Sequence, residues 1–153
     1  MEPISELEAL KFLEAAPVAH IGVVADGVPY VTPMSFVMDG KRILFRTKPG
    51  RRFAAIEANP IVSIEVSEFN DENGEWKSVV VRGRASTTTD SETARVTVEK
   101  LLSKYEKVLG SPLSRGRIQP LASFPHVVAI EIEEISGMTS SGTFGARTRP
   151  GRL

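Results

Sequence analysis

Cysteine is absent from this chain of 153 residues, and histidine occurs only twice. Without cysteine the chain cannot form disulfides, thiolate zinc sites or iron–sulfur clusters, and it has no thiol nucleophile. Two histidines without cysteine predict no dedicated transition-metal site. Neither histidine has a serine and an aspartate nearby in the sequence that would indicate a catalytic triad.

The chain also lacks an excess of charge of either sign, since 19 Lys and Arg residues balance 19 Asp and Glu residues. Proteins that bind nucleic acid without sequence preference need surplus positive charge. No apolar run approaches the roughly 20 residues of a transmembrane helix, and the acidic start MEPISELEALKF is unlike a signal peptide. We therefore expect a cytoplasmic protein that binds neither nucleic acid nor membranes.

The length and a hydrophobic fraction of 41% indicate one folded domain with its own core. Segments rich in β-branched residues and bounded by turn residues predict six strands, at 18–24, 28–38, 41–47, 61–67, 76–88 and 127–135. Helical periodicity and capping signals predict helices that follow Ser5, Gly50 and Thr89. Because tight turns join most strands and no β–α–β alternation occurs, we expect a mainly β (α+β) fold with an antiparallel sheet or barrel.

The last part of the chain differs in composition from the rest. Residues 136–153 are mostly Gly, Ser, Thr and Arg with few apolar side chains. This composition predicts that the domain covers residues 1–135 and that residues 136–153 form a C-terminal tail, either flexible or docked on a partner.

Positive charge concentrates in residues 45–53, FRTKPGRRF, and no acidic residue occurs between Asp39 and Glu57. The four cations are Arg46, Lys48, Arg51 and Arg52. A helix N-terminus already carries partial positive charge, so cations there are unfavourable unless an anion binds. A phosphate would accept hydrogen bonds from the free N–H groups, the guanidinium groups and the Thr47 hydroxyl. The alternative is a solvated basic surface without a ligand.

Two other segments carry weaker signals. Pro33 lies within the strand segment 31–36 and removes a backbone donor, which indicates an edge strand or a bulge whose free backbone groups contact a planar ligand. A plain edge strand is the alternative. Arg82 and Arg84 share one strand face, and we expect them to form ion pairs with Glu65 or Glu131.

The order of these motifs resembles the pyridoxamine 5'-phosphate oxidase-like family of FMN-binding split β-barrels. The motifs are FRTKPGRR before a short helix, then NPIVSIEV, then WKSVVVRGRA, and the resemblance extends over about residues 6–88. It implies an antiparallel split β-barrel of about six strands with flanking helices. It also implies a homodimer with FMN bound at the subunit interface.

The same resemblance implies which residues bind FMN. The strand that contacts the flavin ring and the ribityl chain corresponds to Val31, Thr32, Pro33, Met34, Ser35 and Phe36. The residues at the phosphate correspond to Arg46, Thr47, Lys48, Arg51 and Arg52. Ser78, with Lys77 beside it, would reach the flavin from the other subunit.

We therefore expect an FMN-dependent oxidoreductase that acts on a small molecule, with a nicotinamide cofactor as a candidate electron donor. True pyridoxamine phosphate oxidases end in a segment with Trp and Arg, whereas this chain has no Trp after Trp76, so that activity is not expected. No catalytic acid or base is assigned. The alternatives are a deazaflavin-dependent reductase and a non-catalytic flavin- or haem-binding protein, with His20 or His126 as the axial ligand.

Overall fold

The structure, a computed structural model, describes residues 1–113 and 124–140. The strands are β1 (Glu2–Pro3), β2 (Ala19–Ala25), β3 (Val28–Met34), β4 (Val37–Asp39), β5 (Arg42–Thr47), β6 (Ile61–Phe69), β7 (Trp76–Thr88) and β8 (His126–Ser140). The helices are α1 (Glu6–Ala15), α2 (Arg51–Ala58) and α3 (Ser91–Leu109). The strands form one antiparallel sheet in the order β3-β2-β6-β7-β8-β5-β4, with β1 beside β8. The mainly β prediction is confirmed, and the unclosed sheet is consistent with a split barrel.

The described residues contain more strands than the six predicted, in part because the predicted strand 28–38 is two strands. The break falls at Ser35 and Phe36, between β3 and β4. The Phe36 N–H donates to the Tyr105 hydroxyl at 3.3 Å, and the Phe36 carbonyl accepts from Lys104 Nζ at 3.1 Å. Helix α3 therefore satisfies backbone groups that a continuous strand would offer to a neighbouring strand.

The last strand extends beyond the predicted domain end at Ile135. Because β7 is 13 residues long, it supplies partners for β8 as far as the Trp76–Ser140 pair. Gly137 fits there because the Ile4 side chain occupies the space that a Cβ atom would need, with Cδ1 2.6 Å away. Residues 136–140 thus belong to the sheet rather than to a tail, and residues 141–153 lie outside the described residues.

The helix boundaries follow from local signals. The Ser5–Glu8 capping box starts α1 as predicted, and Gly110 ends α3 in the left-handed conformation with φ 67°. The N-cap of α3 is Asp90 rather than Thr89, because the Asp90 carboxylate accepts from the Thr93 N–H at 2.8 Å. A carboxylate at an N-cap also interacts favourably with the helix dipole.

The inner face of the sheet and α1 form the main core, whose largest fully buried side chains are Phe36, Phe45 and Leu13. On the outer face, strand register places Val31, Gly22, Ser63 and Arg82 in one row across four strands. The next row contains Pro33, His20, Glu65 and Val80.

Within the described ranges, no helix is both long and apolar enough to cross a membrane.

The ion pairs of Arg82 and Arg84 differ from the sequence expectation. Arg82 Nη2 lies 2.6 Å from Glu134 Oε1, and Arg84 Nε lies 3.3 Å from Glu133 Oε1. A β-bulge at Arg82 and Gly83 inserts Glu133 as an extra residue of β8. The predicted partners were wrong. Arg84 lies opposite Glu131 in the strand register, but its guanidinium pairs with the inserted Glu133, and Glu65 pairs with His20 instead.

Candidate functional site

Two of the four clustered cations converge on one cavity. Arg46 lies near the end of β5, and Arg52 lies in the first turn of α2, just after the connection formed by residues 48–50. Both side chains line a cavity of about 550 Å³. The other lining residues are Pro33, Met34, Ser35, Leu101, Tyr105, Leu109, Leu113 and Phe124. The cavity therefore has a cationic end and a largely apolar wall.

The Arg52 guanidinium is held in place by neutral groups. Its Nη1 donates to Thr32 Oγ1 at 3.1 Å and to the Pro33 carbonyl at 3.4 Å, and its Nη2 donates to Thr47 Oγ1 at 3.5 Å. Its Nε is buried and has no hydrogen-bond partner among the described residues. Burial lowers the pKa of Arg52, as expected for a cation removed from water. No carboxylate in the described residues forms an ion pair with it.

Arg46 forms the opposite side of the cationic end. Its Nη2 donates to the Phe124 carbonyl at 3.3 Å, and its guanidinium lies 5.7 Å from the centroid of the Phe124 ring. Burial also lowers the pKa of Arg46. Together Arg46, Arg52 and the buried Thr47 define what we call the arginine corner.

The start of α2 adds to the positive potential of the arginine corner. The N-cap residue Gly50 provides no side-chain hydrogen bond, and the first turn contains no acidic residue. The first N–H groups of a helix have no partner inside the helix and attract anions. Unscreened helix N–H groups and two half-buried guanidinium groups therefore form a suitable site for a phosphate group.

The other two predicted cations do not line the cavity. Lys48 is exposed. Arg51 is also exposed, and its guanidinium lies 4.7 Å from the centroid of the Tyr30 ring. Adjacent residues of a helix point about 100° apart, which is why Arg51 and Arg52 face different surroundings.

The predicted flavin-contacting strand is only partly at the cavity. Pro33, Met34 and Ser35 line it, and Thr32 holds Arg52. Val31 lies on the outer face with 62% of its surface exposed, and the Phe36 side chain is fully buried in the core. Pro33 lies on an edge strand as predicted, because β3 is at one end of the sheet.

Within one chain, Ser78 and Lys77 are not brought to the arginine corner. Thr47 pairs with His126 at the start of β8, whereas Ser78 pairs with Met138 near its end, 12 residues further along the strand. Lys77 Nζ instead lies 5.6 Å from the centroid of the Phe12 ring.

The apolar wall of the cavity was not predicted as part of the site. It includes Leu101, Tyr105 and Leu109 of α3, together with Leu113 and Phe124. The helical spacing of the first three places them on one face of α3. Only the fold shows that this face is opposite the arginine corner.

The two histidines lie in different surroundings. His20 Nδ1 is 3.3 Å from Glu65 Oε2 on the outer face, and the His126 ring stacks on Phe53 with centroids 4.2 Å apart. In residues 1–113 and 124–140, no group of three or more His, Asp or Glu side chains is arranged to hold a metal ion.

Similar proteins were found by both sequence and structure. A curated relative, an uncharacterised protein of Rhizobium meliloti (strain 1021), is 33% identical over 81 residues. The aligned residues cover 53% of this chain and 53% of that protein, so the chain spans about half the length of this relative. The solved structure of an FAD-binding protein from Mesorhizobium loti has a TM-score of 0.70 and 29% identity, covering 90% of this chain and 95% of that one. The flavocytochrome Anf3 from Azotobacter vinelandii has a TM-score of 0.63 and 27% identity, covering 90% and 68%.

The match to a protein family extends over nearly the whole chain. The sequence model of the family described as pyridoxamine 5'-phosphate oxidase matches residues 5–139. This range includes every strand from β2 to β7, nearly all of β8, and both cationic residues of the cavity. The chain therefore belongs to the pyridoxamine 5'-phosphate oxidase-like family.

Proposed function

We propose that this protein is a flavin-dependent oxidoreductase that binds FMN, with the FMN phosphate in the arginine corner. The observation that carries the proposal is Arg52, whose guanidinium faces a cavity without a carboxylate partner in the described residues and with a buried, unbonded Nε. The names of similar proteins support a flavin, since one is called FAD-binding and another a flavocytochrome.

Arg52 is a cation that the fold partly removes from water. Removing a guanidinium from water is unfavourable unless charge and hydrogen bonds compensate it. The hydroxyls of Thr32 and Thr47 and the Pro33 carbonyl satisfy part of the hydrogen bonding of Arg52, but none of them carries a charge. A phosphate would supply the negative charge and accept further hydrogen bonds, so its binding offsets a cost that the folded chain already carries.

The remainder of the cavity suits the rest of the ligand. Its volume of about 550 Å³ lies within the range of small-molecule sites. A bound flavin would supply the hydride and electron chemistry of the reaction. In the proposed function, the arginine corner fixes the ligand's phosphate, residues 33–35 line its path, and the apolar wall of α3 excludes water from the cavity.

The same proposal includes a homodimer and a small-molecule substrate. Ser78 and Lys77 lie far from the arginine corner of their own chain, so they can contact the same ligand only in a second subunit. Exposed Val24, Val31 and Val80 supply apolar area on the outer face of the sheet. Such a face would be covered by a second copy of the sheet.

The alternatives from the sequence differ in what they require of this site. A deazaflavin has a longer acidic tail, which would need more cations beyond Arg52, whereas the described cavity wall beyond the arginine corner is apolar. A haem would need an axial histidine, and His126 stacked on Phe53 is the histidine closer to the arginine corner, because it pairs with Thr47. Haem binding is the second candidate function, because one of the similar solved structures is that of a flavocytochrome.

The absorption spectrum of the purified protein, followed by identification of the released cofactor, tests the proposal. We expect a flavin spectrum, FMN as the released compound, and bleaching of the flavin bands by NADH or NADPH without oxygen. A Soret band would favour the haem-binding candidate. Failure of the ligand-free protein to bind added FMN at micromolar concentration would contradict the proposal.

A further inference from the structure

A second cavity, of about 590 Å³, lies on the opposite side of α3 from the arginine corner. Its walls are α1 and α3, and β4 forms its floor. The charged residues lining it are Lys11, Glu14, Lys100, Lys104 and Lys107, and we call this cavity the lysine groove. Leu101 and Tyr105 point to the first cavity, whereas Lys100 and Lys104 point to the second. The two sites are therefore separate.

The lysine groove carries uncompensated positive charge in a chain with no net charge. Lys100 Nζ lies 3.4 Å from Asp39, whose carboxylate also pairs with Arg42 at 2.8 Å. No carboxylate among the described residues lies within ion-pair distance of Lys11, Lys104 or Lys107. These three ammonium groups and the carboxylate of Glu14 leave two positive charges.

Lys104 is the cation at the base of the lysine groove. Its Nζ donates to the Phe36 carbonyl at 3.1 Å and lies 3.6 Å from the centroid of the Phe36 ring. An ammonium group has three donors, so at least one N–H bond remains for a ligand beside the Phe36 carbonyl and ring. Burial lowers the pKa of Lys104 to about 8, with the charge of Glu14 opposing the change. The fold therefore holds this cation in place with a loss of hydration free energy, which a bound anion would partly offset.

We propose that the lysine groove binds a soluble phosphate monoester with a small apolar body. The two positive charges match the charge of a phosphate monoester dianion, and ammonium groups bind phosphate as compact point charges. Val37 and Met38 line the floor of the groove and provide apolar contact for the rest of the ligand. The volume is that of a small-molecule site. This site is independent of the proposed flavin function.

Calorimetric titration with phenyl phosphate tests the proposal, with phenol and inorganic phosphate as comparison ligands. We expect saturable binding of phenyl phosphate that is tighter than that of inorganic phosphate, and no binding of phenol. Lys104→Met should weaken phenyl phosphate binding at least 10-fold. Lys107→Met should weaken it several-fold, and this side chain is exposed and outside the core, so the variant remains informative if Lys104→Met fails to fold.

Two further variants locate the binding. Lys41→Met removes an exposed lysine that pairs with Glu6 outside the groove, and it should leave the affinity within twofold. Arg52→Met alters the other cavity and should retain binding of phenyl phosphate in the lysine groove. Absence of phenyl phosphate binding would overturn the proposal. So would loss of binding in Arg52→Met together with unchanged affinity in Lys104→Met and Lys107→Met.

Discussion

Two arginines of this molecule, Arg52 and Arg95, show how differently the same side chain is used. Arg95 is exposed on α3 and forms hydrogen bonds with Glu92 at 2.7 Å and Glu99 at 2.9 Å, which raise its pKa. Arg52 is half-buried and contacts hydroxyls, a carbonyl and the Phe45 ring, and burial lowers its pKa. Arg95 is satisfied by its own helix, whereas Arg52 lacks a negative partner in the described part of the chain. A half-buried cation without a negative partner therefore indicates a binding site better than the number of nearby cations does.

Charge reversal at the two positions should separate them most strongly. Arg52→Glu replaces the phosphate's partner with a repelling carboxylate, and we expect the FMN affinity to fall more than about 100-fold, beyond the roughly 1.5–3 kcal/mol of one charge-assisted hydrogen bond. Arg95→Glu makes the same charge change on an exposed helix face and should leave the affinity within about twofold. Quenching of FMN fluorescence measures both affinities, with circular dichroism as the check on folding. Equal losses of FMN affinity in the two variants would contradict a specific contact between Arg52 and the phosphate.

Lys104 extends the comparison to a second uncompensated cation and predicts a pH effect. Its pKa is about 8 in the folded protein and near the ordinary value of 10.5 in the unfolded chain. Between these values the unfolded state binds more protons, so the contribution of Lys104 to stability rises with pH across this window and is constant below it. We expect the free energy of unfolding of the wild type to gain on the order of 1 kcal/mol relative to Lys104→Met between pH 7 and pH 10.

Urea denaturation of both proteins at the two pH values measures this difference. The comparison with Lys104→Met removes the contribution of other groups that titrate in the same range. Parallel changes of the two proteins with pH would show that Lys104 is solvated like an ordinary surface lysine.

The smallest effect is expected where the cation is already paired in solvent. Arg95→Gln breaks the hydrogen bonds with Glu92 and Glu99, but exposed ion pairs add little to stability because water and salt screen them. We expect the melting temperature to change by less than about 2 °C. Differential scanning calorimetry at physiological salt measures it, and a large decrease would mean that Arg95 supports the fold.

Much of the fold could be predicted from local sequence signals. The bounds of α2 and β7 were predicted at the residues where the structure has them. Gly50 and Pro60 flank α2, and β7 lies between a polar loop and a helix-capping signal. The break between β3 and β4 was not predicted, because it depends on hydrogen bonds between Phe36 and two residues of α3, Lys104 and Tyr105, which lie 68 and 69 residues away in sequence. Tertiary contacts of this kind leave no local pattern.

The site was predictable in composition but not in arrangement. The cluster of cations at a helix start identified residues 45–53, yet the sequence could not show that Arg46 and Arg52 converge while Lys48 and Arg51 turn away. The sequence predicts the apolar face of α3, but it does not predict that this face lies opposite the arginine corner. Long-range packing decides the direction of the four cations and the position of this helix face, and a single sequence does not show long-range packing directly.

Titration of wild type and Arg52→Gln with FMN and with riboflavin isolates the contact between Arg52 and the phosphate, because the two ligands differ only in the phosphate. We expect the wild type to bind FMN at least about 10-fold more tightly than riboflavin, as one charge-assisted hydrogen bond or more would give. In Arg52→Gln most of that preference should disappear, while riboflavin affinity changes little. An equal preference for FMN in both proteins would contradict the assignment of the phosphate to the arginine corner.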